Sequence, residues 1–141
     1  MFEGVRHAIE ERTARRRNRP FLEACMASCA LVAIADGEVS LSERGRVDQI
    51  LEAIDKLKIF DVHEAVDLFN GYIEDIIESE SKGRRDALDA IKEMRHEAGD
   101  AVLLVKVALA VSRADGVFLE SERAQCEAIC DVLGLNLEDF L

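Results

Sequence analysis

Residues 35–44 read ADGEVSLSER and residues 114–123 read ADGVFLESER, the same Ala-Asp-Gly, four variable residues and Ser-Glu-Arg written twice, 79 positions apart. The shift aligns more than the turn. Ahead of each copy lies a stretch that is apolar on nearly every side, Ala24 to Ala35 and Ala101 to Val111. Behind the first copy, Val47, Ile50, Leu51, Ile54 and Leu57 recur at the spacing of one helical stripe, and behind the second a helix is expected from about Glu120 to Leu133. The chain therefore contains a duplicated helical hairpin. A helix without a polar face has to be enclosed by others, so two of them predict a bundle built around the pair.

The rest of the chain supplies the enclosure. One Pro, eight Gly, no Trp and an abundance of Ala, Leu, Glu and Arg favour helix over strand, and 141 residues suffice for one domain with a core of its own. The expectation is an all-α, single-domain bundle of about seven helices, with residues 1–20 a basic N-terminal helix or arm and residues 21–141 the helical domain. Pro20 marks the boundary between a helix over Phe2–Arg17 and one over Phe21–Ala35. Asp61 reads as the cap of a helix carrying Ala65, Val66, Phe69, Tyr72, Ile73 and Ile76, and the ESESKGR that follows reads as a polar loop. Ala87, Leu88, Ile91 and Met94 stripe a fifth helix, Gly99 and Asp100 break the chain before the second buried helix, and a short last turn starts at Asn136.

The net charge of −11 is unevenly spread: residues 1–20 hold six Arg against three Glu, whereas residues 21–141 hold 12 basic against 26 acidic residues. A body that acidic repels phosphate, which argues against a nucleic-acid partner. The apolar stretches are shorter than the ~20 residues that a bilayer requires, and Lys106 interrupts the second. No signal-peptide pattern is visible, so a cytoplasmic protein is expected. Phe2, Val5 and Ile9 share one side of a helix ahead of five Arg between residues 12 and 19. Residues 1–19 are thus a candidate for peripheral contact with an anionic membrane, at its inner face, or with a partner; a solvated tail or a helix packed on the bundle is the alternative.

Cys25 and Cys29 are four apart, as are Cys126 and Cys130, a spacing that invites a four-thiolate zinc site. Their counterparts under the 79-residue shift are Leu104, Ala108, Val47 and Leu51, which favours four core residues instead. His7, His63 and His96 lie in separate segments with no triad spacing, and nucleotide-binding and zinc-protease motifs are absent. The sequence points away from an enzyme.

The repeated turn admits two kinds of job. As a structural device, Gly37 and Gly116 end their helices in the left-handed region, and Ser40 with Glu43 makes a capping box. Leu119 stands where Ser40 does and cannot cap, although Glu122 is kept. Asp36 and Asp115 follow helix C-termini, where negative charge is unfavourable, so Arg44 and Arg123 are the expected partners under this reading. As a chemical device, Asp-Gly-x-hydrophobic-x-x-x-Glu is the second half of an EF-hand loop. Asp36, the chain at Glu38, and Glu43 stand at its fifth, seventh and twelfth positions, and Asp115, the chain at Val117, and Glu122 repeat them. The acidic first half is missing, with Val32 and Ile34 in one copy and Val111 and Arg113 in the other.

With these turns, each following a buried helix, the chain over roughly residues 21–135 resembles the tellurite-resistance TerB family, whose domain is also similar to the N-terminal domain of the membrane-anchored co-chaperone DjlA. The resemblance implies an all-helical bacterial cytoplasmic domain acting with protein partners in tellurite and other chemical stress responses, and a metal site of acidic residues. By position those are Asp36, Glu43, Asp115 and Glu122, with Glu38 and Glu120 at the margin and Val117 breaking the symmetry opposite Glu38. Oxygen donors of this kind suit calcium or magnesium better than zinc. The alternative is a co-chaperone-like protein–protein interaction module without a metal site.

Overall fold

A computed structural model describes residues 2–141. Six helices follow one another: α1 (Phe2–Ala33), α2 (Leu41–Ala53), α3 (Val62–Glu78), α4 (Glu80–Lys92), α5 (Ala98–Ser112) and α6 (Glu120–Leu133). Short 3-10 turns at Asp55–Leu57 and Leu137–Phe140 follow α2 and α6. The fold is all-α as expected, and the described residues contain no strand.

The duplicated hairpin organises the core. From Phe21 to Ala33 nearly every side chain of α1 is buried, and α5 buries Ala101, Leu104, Val105, Val107, Ala108, Leu109 and Val111. α1 packs against α3, α4, α5 and α6, while α2 lies on α5 and α6 on both buried helices. Each repeat thus closes over the other repeat's apolar helix, which is how a helix with no polar face avoids water. The amphipathic helices contribute narrow stripes: Val47, Ile50 and Leu51 from α2, Ala65, Phe69, Ile73 and Ile76 from α3, and Cys126, Ile129, Cys130 and Leu133 from α6. Lys56, just past α2, ion-pairs with Asp100 at the start of α5 and lies 4.7 Å from the centre of the Phe21 ring.

Three local expectations are corrected, the simplest being that Gly99 and Asp100 do not break the chain but lie in the first turn of α5. Pro20 does not divide two helices, because α1 runs unbroken through it for 32 residues. A proline inside a helix removes one hydrogen bond and crowds the preceding turn, at a cost of ~3 kcal/mol or more. Here the penalty falls on a wet stretch, where water reaches Arg16 and its neighbours. The buried turns beyond it, with Arg15 donating to the Ile59 carbonyl at 3.0 Å and Arg19 paired to Glu23 and Glu64, hold the helix in register on both sides. ESESKGR is not a loop either: Glu78 ends α3, only Ser79 separates it from α4, and residues 80–84 form the first turns of α4. Gly83 explains its own presence, since an added Cβ would stand 2.5 Å from the Ile76 backbone. It is where α3 and α4 approach backbone to backbone.

Ser28 is fully buried in α1, and its Oγ has no hydrogen-bond partner among the described residues. An unpaired buried hydroxyl is costly, whereas alanine fills nearly the same space and is the better helix former. Ser28→Ala is therefore expected to raise stability by about 1 kcal/mol, read as a higher urea midpoint with unchanged slope.

Candidate functional site

Both Asp-Gly turns fold alike. α1 and α5 each give way to a short turn in which Gly37 and Gly116 take φ of 95° and 83°, a left-handed conformation that glycine adopts without a Cβ clash. Immediately before each glycine, the Asp carboxylate accepts a hydrogen bond from the backbone two residues on: Asp36 Oδ1 from Glu38 N–H and Asp115 Oδ1 from Val117 N–H, both at 3.1 Å. The chain then enters α2 or α6 through a Glu at the third helical position. Glu43 Oε1 accepts from Ser40 N–H at 2.9 Å and Ser40 Oγ accepts from Glu43 N–H at 3.0 Å, a complete capping box. In the second copy only half the box exists: Glu122 Oε1 accepts from Leu119 N–H at 2.9 Å, and the leucine returns nothing. The capping expectation is met, and it accounts for Gly, Ser and one oxygen of each Glu.

It does not account for the charge. Glu43 and Glu122 are buried, 5% and 3% exposed, while Asp36, Glu38, Asp115 and Glu120 are exposed. Among the described residues none of these six carboxylates is ion-paired to Lys, Arg or His. The expected Asp–Arg bridges do not form. Arg44 donates to Asn70 at 3.1 Å and lies over the Phe69 ring, and Arg123 binds Glu127 and Glu138. Arg44 thus reaches across to α3, and Arg123 to its own helix and to the C-terminal turn.

The carboxylates feel one another across the repeat. Burial raises the Glu43 carboxyl above the ordinary carboxylate range, hydrogen bonds from Ser40 pull it back, and Asp36 and Asp115 push it up again. Glu122 is raised by burial and lowered by its bond from Leu119, then raised by Glu43, Asp115 and Asp36. The two turns thus lie within electrostatic reach of each other, and each buried glutamate is raised by carboxylates of both. Glu43 and Glu122 gain from the positive ends of α2 and α6, whereas Asp36 and Asp115 follow the negative ends of α1 and α5. The donor chemistry fits a hard cation that prefers oxygen. The side chains are not drawn into a coordination sphere: among the described residues, no three His, Cys, Asp or Glu groups lie close enough together to hold a metal ion.

Beside the first turn lies a cleft of about 290 Å³, bounded by Leu31, Gly37, Ile76 and Ile77. Arg84 forms its polar wall and donates from Nε and Nη2 to Gln125 Oε1 at 3.1 and 2.9 Å, linking α4 to α6. Sequence reasoning missed this pair, because no spacing rule connects residues 41 apart. The four cysteines are free and buried in the core, as their apolar repeat partners imply. Burial raises the thiols of Cys126 and, to about 11, Cys130, and the neighbouring Cys25 thiol with burial raises Cys29. Protonated thiols of this kind are packing groups rather than ligands or nucleophiles.

Known proteins match most of this chain in sequence. The family described as tellurite resistance protein TerB matches residues 22–141. A tellurium resistance protein TerB from Alcaligenes sp. is 24% identical over 104 residues, covering 74% of this chain and 85% of its own length. No solved structure matches. The duplicated hairpin and both of its acidic turns lie inside the matched segment, and the chain belongs to the tellurite resistance protein TerB family.

Proposed function

We propose that this protein acts in tellurite resistance without catalysing a reaction, as a binding protein whose two Asp-Gly turns take up a divalent cation. The single observation that carries the reading is that Glu43 and Glu122 are buried while neither they nor Asp36 and Asp115 are paired to a basic side chain among the described residues, the two turns lying within electrostatic reach of each other. The tellurite role follows the names of the family and of the Alcaligenes relative. Carboxylate and backbone oxygens favour calcium or magnesium over zinc. Asp36, Glu43, Asp115 and Glu122 would hold the ion, Glu38 and Glu120 would add charge at the rim, and the ion would supply the positive charge that the arginines do not. Protein partners in a stress-response complex would then recognise a surface whose charge depends on the ion.

Native mass spectrometry with added calcium, magnesium or zinc is the direct test. The expected result is a calcium or magnesium adduct that is lost when Asp36 and Asp115 are both replaced by Asn. In the host, deletion of the gene should sensitise cells to tellurite, with the parent restoring growth and the double variant failing to. An adduct-free parent, or full rescue by the double variant, would remove the cation from the function.

A further inference from the structure

Residues 2–13 of α1 are exposed one after another, and the large apolar side chains among them stand well out: Phe2 is 82%, Val5 56% and Ile9 59% exposed. At about 3.6 residues per turn, these three fall on one side of α1 together with Arg16, and Arg6 and Arg12 flank them. Glu3 and Glu11 fall away from it, and Glu10 lies beyond the Arg6 flank. This segment precedes the residues that the TerB family matches, so the family fold does not explain it. Aligned apolar groups left in water over successive helical turns mark a contact surface.

We infer that this face of α1 docks on the surface of an anionic lipid bilayer, lying along the headgroup plane with Phe2, Val5 and Ile9 in the acyl boundary and Arg6, Arg12 and Arg16 against lipid phosphates. A face both apolar and basic matches that interface chemically. Pairing with a second copy through the same face would be self-complementary and would set arginines against arginines or against bare apolar groups. Arg15 and Arg19 are already engaged by the bundle, through the Ile59 carbonyl and through Glu23 and Glu64. Because α1 continues unbroken into the core, docking would also fix the orientation of the bundle over the membrane. The 26 acidic residues against 12 basic in residues 21–141 oppose the approach, so binding is weak and declines with salt.

Flotation of the full chain with vesicles of phosphatidylglycerol and phosphatidylcholine, against phosphatidylcholine alone, tests the inference at low salt. The parent should float only with the anionic vesicles. Partitioning should fall about a hundredfold in Arg6→Gln/Arg12→Gln/Arg16→Gln, at roughly fivefold per arginine. It should fall at least about tenfold in Phe2→Ser/Val5→Ser/Ile9→Ser, which removes the buried apolar area. Glu3→Gln/Glu10→Gln/Glu11→Gln alters residues off this face and should bind no more weakly than the parent. A parent that does not float, equal flotation with zwitterionic vesicles, or parent-like flotation by the glutamine variant would overturn the inference. A dimer of the parent that the serine variant dissociates would assign the face to a second copy instead.

Discussion

Gly83→Ala is expected to destabilise the protein by about 3 kcal/mol, a fall in Tm of roughly 10 °C for a chain of this size. The added Cβ would lie 2.5 Å from Ile76 Cα and N and 2.6 Å from the Asp75 carbonyl carbon. All three are backbone atoms of α3, so relief requires two helices to separate rather than a side chain to turn. Separation would loosen Ile76 and Ala87, which are buried where α3 and α4 meet the core. Gly45 in α2 and Gly71 in α3 provide the control, because an added Cβ there meets nothing within 4 Å. Their alanine variants should be stabilised by about 0.5–1 kcal/mol through helix propensity alone. Thermal unfolding of the three variants side by side separates the two effects. Equal behaviour at all three positions would mean that α3 and α4 do not approach as closely as the structure has them.

Gly83 also shows where sequence stops informing about fold. A glycine in a run of Glu, Ser, Lys and Arg carries the local signature of a loop, and its true reason, the backbone of Ile76, leaves no mark at neighbouring positions. Pro20 misleads for a related cause, since its penalty is local while the burial that overrides it is spread over the following turns of α1. Signals that are local in origin were legible. Asp61 caps α3 by accepting from His63 N–H at 2.9 Å, Ser40 and Glu43 form their box, and Asn136 opens the last turn. Repetition extended that reach: the two buried helices and their turns stood out because the chain states them twice. At the candidate site, the repeat identified the acidic residues but not their surroundings. Arg44 and Arg123 look like natural partners for Asp36 and Asp115 along the chain, yet the packing of α3 and of the C-terminal turn draws them to Asn70 and Glu138.

Added calcium or magnesium is expected to raise the Tm of the parent, by an amount that grows with ion concentration. Mass action gives roughly 1.4 kcal/mol for each tenfold excess over the dissociation constant. The isosteric variants Asp36→Asn, Asp115→Asn, Glu43→Gln and Glu122→Gln should each lose most of that gain. Each keeps an oxygen to accept its backbone hydrogen bond, from Glu38, Val117, Ser40 or Leu119, so the turn survives while a charge is removed. Without divalent ions, the glutamine variants should be at least as stable as the parent at neutral pH, since burial and the neighbouring carboxylates already favour the uncharged form of both glutamates. The sign of the pH dependence follows. A carboxyl whose folded-state pKa is raised binds its proton more tightly folded than unfolded, so its contribution is fully present below the ordinary carboxylate range and is lost as pH rises through the raised pKa. The ion-free parent should therefore lose stability from this pair as pH climbs just above that range, and the Glu43→Gln/Glu122→Gln double variant should show a flatter profile. Loss of the ion effect in every single variant would indicate one site shared by both turns, and loss of about half in each would indicate two. Should millimolar calcium and magnesium leave the parent's Tm unmoved, the turns hold no cation, and the repeated Asp and Glu serve only to shape the entry into α2 and α6.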